Sequence, residues 1–252
     1  MSVSKKLKDS QPVFGSFVLS HDPSIVRVAA TAGLDFLALD FEHGLFDGPI
    51  THDFINAVYG TETELFIRCT MNEVPRLGAY FDSGLNGVIV AGCSSLEDVQ
   101  KVIDVVKFPP DGKRGLNPFV PGGTFGLVSP TEFVRKANEA SSVWVLVESV
   151  QLLSDLDVIC TLPNLGGIFL GPYDLSVDMG RPGETNSEEV RKTLQSAIDT
   201  VLLSGQPVGI FVKDKEDARY WLENGVRFVI LGVDQAVLAN VWQKTIYSLR
   251  SR

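Results

Sequence analysis

The sequence predicts a (β/α)8 barrel that spans residues 1–252 as a single domain. Eight short apolar segments have the length and composition of β-strands, and helical patterns lie between most of them. The chain has 252 residues, which matches the roughly 250 residues typical of this fold. Strands that alternate with helices favour a parallel sheet, and eight such strands complete a barrel.

The predicted strands are mostly near-continuous apolar runs, as expected for strands that are covered on both faces. Helix-like segments separate most of these runs along the chain. In order, the predicted strands are VFGSFV (13–18), LDFLALD (34–40), ELFIRC (64–69), NGVIVA (86–91), VWVLVE (143–148), LGGIFL (165–170), PVGIFV (207–212) and RFVILG (227–232).

Five segments show the apolar spacing or the end signals that are typical of helices. The first of them has Asp22 as a candidate N-cap and Pro23 in its first turn. The last is apolar enough to pack on a neighbouring subunit. The five are DPSIVRVAATAG (22–33), SSLEDVQKVIDVV (94–106), SEEVRKTLQSAIDTVLLSG (187–205), DKEDARYWLENG (214–225) and DQAVLANVWQKTIYSLR (234–250).

An open doubly wound sheet is the alternative to a barrel. Such a sheet usually carries a Gly-rich phosphate-binding turn after its first strand. Here the first predicted strand is followed by VLSHDPS, which has no such turn. The barrel is therefore the preferred prediction.

One long irregular segment, KFPPDGKRGLNPFVPGGTFG, covers residues 107–126. A loop of about 20 residues in a compact domain is usually functional or mobile. We therefore expect an active-site loop around 107–130. The pair Gly122–Gly123 indicates loop flexibility more than a phosphate-binding turn, because no Lys-Ser or Lys-Thr pair follows it.

The composition excludes several classes of function. Lys and Arg number 22 against 31 Asp and Glu, a net charge of −9, so neither nucleic acid nor an anionic membrane is expected as a partner. No apolar run reaches the roughly 18 residues of a membrane span, and the basic start MSVSKKLKDSQP lacks the apolar stretch of a signal peptide. Cys69, Cys93 and Cys160 show no disulfide or metal pattern, which predicts a cytoplasmic protein.

Polar residues follow several of the predicted strands. In a (β/α)8 barrel the C-terminal ends of the strands carry the catalytic groups, so all of these residues are expected on one rim. Asp40, Glu42 and His43 end strand two, Arg68 ends strand three, Glu148 ends strand five, Asp174 follows strand six, and Lys213 and Asp214 follow strand seven.

Each of these residues also has a purely structural interpretation. His43 could bond to the backbone of a turn, and Asp174 could cap the next turn. Arg68 could pair only with Glu148, and Lys213 could be a solvated residue at a helix start. A buried Glu148 would in any case need a cation, because an unpaired buried charge is costly.

Taken together, the rim residues predict a metal site that binds a 2-oxo acid. Glu148 and Asp174 lie one βα unit apart, so neighbouring strands present them side by side. Two carboxylates with positions left open for water and substrate are typical of Mg²⁺ or Mn²⁺. Arg68 would neutralise an enolate, and His43 would supply a base near neutral pH.

The same residues carry a resemblance to a known family. LDFEHGLFD, IRC, FPPDGKRG, VLVES and GPYDLSVDMG resemble the HpcH/HpaI family of class II 2-oxo acid aldolases over almost the whole chain. The resemblance implies a barrel of the phosphoenolpyruvate/pyruvate-binding type. It also implies a divalent metal cofactor (Mg²⁺ or Mn²⁺, with Co²⁺ as a third option) and a homo-oligomer, specifically a hexamer. The implied reaction makes or cleaves a 2-oxo-4-hydroxy acid, with pyruvate and an aldehyde as the other side of the equilibrium.

The resemblance also implies roles for individual residues. Glu148 and Asp174 match the metal ligands, and Arg68 matches the arginine that holds pyruvate and its enolate. His43 matches a histidine that moves protons through a water, and Asp40 matches an acid that supports it. Asp82, in YFDSG, matches an aspartate that pairs with the histidine across a subunit boundary. The residues expected to contact substrate besides Arg68 are Leu146, Gly171, Pro172 and Tyr173.

The chain departs from the family pattern around the pocket. Many relatives have Gln where this chain has Leu146, Ala or Ser where it has Tyr173, and Ala-Pro where it has Gly44-Leu45. These differences put the acceptor aldehyde in question. The alternatives are a condensing enzyme that takes its enolate from oxaloacetate, including citrate formation, a Schiff-base aldolase that uses Lys213, and a non-catalytic barrel.

Overall fold

The computed structural model describes residues 1–251 and contains a closed barrel of eight parallel strands. Each strand pairs with the next one along the chain, and β8 pairs with β1 to close the barrel. The predicted (β/α)8 fold is confirmed. The strands are β1 (Val13–Val18), β2 (Phe36–Asp40), β3 (Glu64–Cys69), β4 (Gly87–Val90), β5 (Ser142–Val147), β6 (Gly167–Leu170), β7 (Val208–Val212) and β8 (Phe228–Val233).

The helices include all five that the sequence predicts. Short 3₁₀ helices cover Val74–Arg76 and Pro121–Gly126. No helix within residues 1–251 is both long enough and apolar enough to cross a membrane. The α-helices are α1 (Val3–Lys8), α2 (Ile25–Ala32), α3 (Gly48–Val58), α4 (Leu77–Ser83), α5 (Leu96–Val106), α6 (Pro130–Ala140), α7 (Val150–Ser154), α8 (Leu156–Ile159), α9 (Pro172–Asp178), α10 (Glu188–Leu203), α11 (Lys215–Glu223) and α12 (Asp234–Arg250).

Large aromatic rings fill the inside of the barrel, and glycines on neighbouring strands make room for them. Phe36 and Trp144 stack on Phe228 with ring centroids 4.2 and 4.1 Å away. Phe66 packs against the same group, 5.2 Å from the Phe36 ring. A Cβ atom added to Gly87 would lie 2.2 Å from the Phe66 ring. The absence of a side chain at Gly87 is therefore a packing requirement.

We expect Gly87→Ala to destabilise the fold by about 1–3 kcal/mol, the usual cost of overpacking a rigid core. Phe66 cannot move aside because the rings of Phe36 and Phe228 hold it. Urea unfolding measures the change. Gly115→Ala is the matched control, since nothing lies within 4 Å of the added methyl group there. Equal stability of the two variants would show that the ring packing tolerates the extra methyl.

The irregular segment 107–126 lies at the N-terminal end of the barrel. Lys107 Nζ donates to the carbonyl oxygens of Asn138 and Ser141, just before β5 begins. The amide of Asn164, just before β6, donates to the carbonyl of Asp111 at 3.3 Å. The catalytic rim of a barrel is the opposite, C-terminal end. Within one chain, this segment therefore does not form part of the rim site, and the expected active-site role would need a neighbouring chain.

Candidate active site

Several of the rim residues predicted from the sequence line a cavity of about 280 Å³ at the C-terminal end of the barrel. All the residues expected to contact substrate line it. His43 and Asp174 line it as well. The lining residues are Phe17, His43, Arg68, Leu146, Phe169, Gly171, Pro172, Tyr173, Asp174, Phe211 and Val233. Sequence reasoning did not single out Phe17, Phe169, Phe211 or Val233.

Asp40 holds Arg68 in a fixed orientation. The parallel register of β2 and β3 pairs the two residues directly. Arg68 Nε donates to Asp40 Oδ1 at 2.9 Å, and Arg68 Nη2 donates to Oδ2. Asp40 Oδ1 also accepts from the backbone N–H groups of Glu42 and His43, at 3.2 Å each. The buried carboxylate thus fixes both the arginine and the turn that carries the histidine.

The structure corrects the sequence-based alternative in which Arg68 pairs only with Glu148. Its bidentate partner is Asp40, and its second carboxylate neighbour is Glu42, with Arg68 Nε and Glu42 Oε2 3.6 Å apart. The guanidinium carbon also lies 4.1 Å from the centre of the Phe17 ring. Within residues 1–251, Arg68 Nη1 makes no hydrogen bond. Donor capacity therefore remains for an anion in the cavity.

Glu148 follows the last residue of β5 and is half-buried beside β6. The backbone N–H of Gly92 donates to Glu148 Oε1 at 3.3 Å. A Cβ atom at Gly171 would lie 3.0 Å from both Glu148 Cβ and Leu146 Cδ1. A glycine at position 171 therefore leaves space for the carboxylate and for the leucine that lines the cavity.

Three carboxylates converge on this part of the rim. Burial raises the pKa of Glu148 to about 7, with further contributions from the nearby charges of Glu42 and Asp174. Burial likewise raises the pKa of Glu42. The guanidinium of Arg68 pairs mainly with Asp40. It therefore does not neutralise the negative charge of the other carboxylates. Such a cluster favours a bound cation.

The oxygen donors of Glu148 and Asp174 fit a hard divalent cation such as Mg²⁺ or Mn²⁺. Among residues 1–251, no group of three His, Cys, Asp or Glu side chains is arranged to hold a metal ion. Two protein carboxylates would leave several coordination positions for water and substrate, as the sequence predicts. The donor set is therefore consistent with a catalytic metal site that has open positions.

His43 lies in the turn after β2, with an exposed side chain. In the part of the chain that the structure describes, its ring makes no hydrogen bond, whereas its backbone N–H is bound to Asp40. The structural alternative, in which the ring bonds to the turn backbone, is not what is observed. The ring is free to exchange protons with a molecule in the cavity.

Asp40 and Glu148 lie beside residues that line the cavity, whereas Asp82 and Lys213 lie apart from the lining. Asp82, in the last turn of α4, pairs with the buried guanidinium of Arg114. That turn leads to the start of β4, so Asp82 lies at the barrel end opposite to Arg68. Lys213 is exposed and borders a separate small recess together with Tyr173 and Phe211. The cavity lining contains no lysine, which does not favour the Schiff-base alternative.

Comparisons with known proteins agree with the resemblance seen in the sequence. Residues 14–241 match the family model described as HpcH/HpaI aldolase/citrate lyase. A hydroxypyruvate/pyruvate aldolase of Cupriavidus necator is 29% identical over 242 residues, covering 96% of this chain and 90% of that protein. A 5-keto-4-deoxy-D-glucarate aldolase of Escherichia coli is 28% identical over 238 residues, with coverage of 94% and 92%.

Solved structures with the same architecture include two at 25% sequence identity. An HpcH/HpaI aldolase from Desulfitobacterium hafniense superposes with a TM-score of 0.93, covering 100% of this chain and 98% of that one. A citrate synthase superposes with a TM-score of 0.89, with coverage of 99% and 98%. Similar barrels therefore carry more than one type of carbon–carbon bond chemistry.

Proposed function

The chain belongs to the HpcH/HpaI aldolase/citrate lyase family and is an aldolase-type carbon–carbon lyase, and we propose that it interconverts a 2-oxo-4-hydroxy acid with pyruvate and an aldehyde in a metal-dependent reaction. One observation carries this proposal. A guanidinium with free donor capacity and the Asp174 carboxylate line one cavity, and the Glu148 carboxylate lies beside it next to Gly171, so that two carboxylates suit a divalent cation there. These are the groups needed to hold a 2-oxo acid and to stabilise its enolate.

In the cleavage direction, a base removes the proton of the C4 hydroxyl group. The C3–C4 bond then breaks, its electron pair moves toward C3, and the aldehyde leaves. Protonation of the resulting enolate at C3 gives pyruvate, so no oxidant or reductant is required. A divalent metal held by Glu148 and Asp174 would supply Lewis-acid stabilisation of the negative charge that develops next to the carboxylate.

Arg68 binds the 2-oxo acid and stabilises the developing charge. Asp40 orients the guanidinium before substrate arrives, so little reorganisation is needed during the reaction. The planar guanidinium can donate in a fixed fork to carboxylate or enolate oxygens. Asp40 is thus a positioning residue that acts through Arg68 and through the backbone of the turn 41–43.

His43 moves protons during the reaction and is not a metal ligand in this proposal. Its ring lies at the cavity and is free of protein hydrogen bonds within residues 1–251. We expect His43→Ala to lower turnover by about 10²-fold or more, the usual contribution of a general acid–base group. Metal affinity should stay nearly unchanged, and steady-state kinetics together with metal titration measure both effects. Loss of the metal in this variant would instead make His43 a ligand.

The metal requirement is tested by removing the metal. The protein is incubated with pyruvate and an aldehyde, and the 2-oxo-4-hydroxy acid formed is quantified by chromatography. EDTA should abolish product formation, and Mg²⁺, Mn²⁺ or Co²⁺ should restore it. Full activity in a chelated, metal-free sample would overturn the proposal. Borohydride trapping with pyruvate would then test for a Schiff base at Lys213.

A second candidate function is a condensation that takes its enolate from oxaloacetate. The structural similarity to a citrate synthase, at a TM-score of 0.89 and 25% identity, supports this candidate. In such a reaction, oxaloacetate would lose carbon dioxide or add to another carbonyl compound at the same site. Incubation with oxaloacetate alone, and then with candidate electrophiles, separates this activity from pyruvate aldol chemistry.

We also propose a homo-oligomer, a hexamer by family resemblance. Within residues 234–250, α12 buries only Asp234 and exposes apolar side chains that include Trp242, 63% exposed. An apolar helix left uncovered on its own barrel suits packing on another subunit. In this proposal, Asp82 and the neighbouring segment 107–126 face the active site of an adjacent subunit. A fully active monomer by light scattering at micromolar concentration would overturn it.

We propose a cytoplasmic location from the cysteines. Cys69, Cys93 and Cys160 are all free and buried. Free thiols are typical of proteins in a reducing compartment. Fractionation of cells that express the protein from its own gene tests this location.

A further inference from the structure

Three aromatic side chains form a continuous wall along one side of the cavity. This aromatic wall consists of Phe17, Phe211 and Tyr173. The rings of Phe17 and Phe211 stack with their centroids 6.1 Å apart and their planes 17° from parallel. Tyr173 meets Phe211 edge-on, with centroids 5.8 Å apart. The wall begins under the guanidinium of Arg68, 4.1 Å from the Phe17 ring, and ends at the partly exposed Tyr173.

The cavity beside this wall has few charged groups. Arg68 and Asp174 are the charged residues among those that line the cavity, and Glu148 lies next to Gly171. A 2-oxo acid bound by Arg68 occupies these groups. The surface left for a second substrate consists mainly of aromatic carbon, extended by the side chains of Leu146 and Val233. Within one chain, the polar groups that remain for that substrate are the His43 ring and the Tyr173 hydroxyl.

We propose that the aromatic wall binds the carbon chain of the acceptor aldehyde and selects a small, uncharged, apolar aldehyde. This inference rests on the proposed function and names the substrate class of the same site. In the addition direction, C3 of pyruvate loses a proton and forms a bond to the aldehyde carbon. The aldehyde oxygen gains a proton and becomes the C4 hydroxyl. The alkyl group of the aldehyde then lies along the faces of Phe17 and Phe211.

Hydroxylated aldehydes fit this surface poorly. A hydroxyl group that leaves water and finds no hydrogen-bond partner loses more free energy than the new contacts return. Sites that accept such substrates supply dedicated donors and acceptors, and the aromatic wall offers one hydroxyl, at Tyr173. The cavity of about 280 Å³ also limits the length of the aldehyde once pyruvate is bound.

Anionic aldehydes fit poorly for an electrostatic reason. Glu42, Glu148 and Asp174 already concentrate negative charge near the cavity, and Arg68 is the cation among the residues that line it. Within one chain, a carboxylate at the far end of the acceptor would meet the wall with no cation among the lining residues to receive it. Lys213, in the adjacent recess, is an exposed cation that could alter this outcome. The test therefore includes an anionic aldehyde.

The experiment compares three aldehydes of similar chain length with pyruvate and saturating Mg²⁺. Butanal is apolar, glyceraldehyde is hydroxylated and succinic semialdehyde is anionic. We expect kcat/KM for butanal to exceed that for each of the others by at least about tenfold, since small differences in pocket contacts give discrimination of this order. A preference for glyceraldehyde or succinic semialdehyde, or equal values for all three, overturns the inference.

Exchange of the pyruvate C3 protons with solvent deuterium separates this inference from the proposed function. Exchange requires the part of the site that binds pyruvate, but it requires no aldehyde. If exchange is normal but butanal is not the preferred aldehyde, the aromatic wall does not determine specificity. The proposed pyruvate chemistry would still hold. Absence of both exchange and addition contradicts the proposed function itself.

Phe211→Ser tests the wall directly. We expect the preference for butanal over glyceraldehyde to fall by at least about tenfold. Leu203→Ser is the control, because Leu203 is 89% exposed at the end of α10 and far from the cavity lining. Tyr173→Ser is the second variant if circular dichroism shows that Phe211→Ser is unfolded, since Tyr173 is 44% exposed and its loss leaves the core intact. An unchanged preference in a folded wall variant overturns the inference.

Discussion

Replacing Glu148 by glutamine should remove divalent-metal binding and with it the lyase activity. Glutamine keeps the size of the side chain but loses the charge that a hard cation requires. Loss of an outer partner of a metal ligand commonly costs about 10–100-fold in affinity, so loss of a ligand should cost at least about 100-fold. Isothermal titration with Mn²⁺ measures the affinity, and product formation at fixed Mn²⁺ measures the activity.

Two further variants make this prediction specific. Asp174→Asn should give a similar loss, because the site offers two protein carboxylates to the cation. Glu188→Gln is the control, since Glu188 has an 82% exposed side chain in the first turn of α10. It should bind Mn²⁺ as the unmodified protein does. Unchanged Mn²⁺ affinity in Glu148→Gln would remove Glu148 from the metal site.

Replacing Arg68 should have the second large effect, a loss of proton exchange at pyruvate C3. Arg68→Lys keeps the positive charge but loses the planar fork of donors. We expect proton exchange at pyruvate C3 to fall by at least about tenfold, which corresponds to roughly 1.4 kcal/mol in the barrier. Arg68→Ala should lower the exchange further, by about 10²–10³-fold, as loss of a preorganised charge-stabilising donor commonly does. Added guanidinium should restore part of the activity of the alanine variant.

The ion pair with Asp40 complicates this experiment. Removal of Arg68 leaves a buried carboxylate without its partner, which is itself destabilising. Urea unfolding of each variant therefore accompanies the exchange measurement, and the comparison is made only with folded, metal-saturated protein. Arg135→Lys is the control, because Arg135 forms an exposed ion pair on α6. Normal exchange in folded, metal-loaded Arg68→Ala would remove Arg68 from the mechanism.

The strands could be predicted closely because their composition alone distinguishes them. The bounds of β1 and β3 match the predicted 13–18 and 64–69. Several helices were missed because they carry weak signals. α3 begins at Gly48 and Pro49, which resemble a loop, although the N–H of Ile50 donates to the capping Asp47 at 2.9 Å. α6 buries only Phe133 and consists mostly of polar residues, so few apolar positions mark it in the sequence.

The rim residues could be predicted from strand ends, but their partners could not. The bidentate pair of Asp40 and Arg68 depends on the register of β2 against β3, which an apolar run does not encode. The positions of Phe17 and Phe211 in the cavity could not be predicted for a related reason. Both lie in continuous apolar strands, where nothing in the sequence indicates which residues point into the barrel.

The location of segment 107–126 on the barrel also could not be predicted from the sequence. A long Gly- and Pro-rich stretch predicts a functional loop, but the sequence does not say at which end of the barrel it lies. The segment lies between α5 and α6, in the connection that leads from α5 to the start of β5, and such connections lie at the N-terminal end of the barrel. Buried anchors such as Lys107 and Arg114 then fix its first half against the barrel. A role at the rim therefore depends on a second subunit.

The proposed function requires that the residues around Arg68, Glu148 and Asp174 enolise pyruvate with the help of a divalent metal. The most direct measurement is proton NMR of pyruvate in D₂O with the purified protein and Mg²⁺, followed by EDTA and then by excess Mg²⁺. We expect loss of the methyl signal with Mg²⁺, no loss above background with EDTA, and recovery of exchange when Mg²⁺ is returned. No exchange with Mg²⁺ or Mn²⁺, or exchange that EDTA leaves unchanged, would contradict the proposed function.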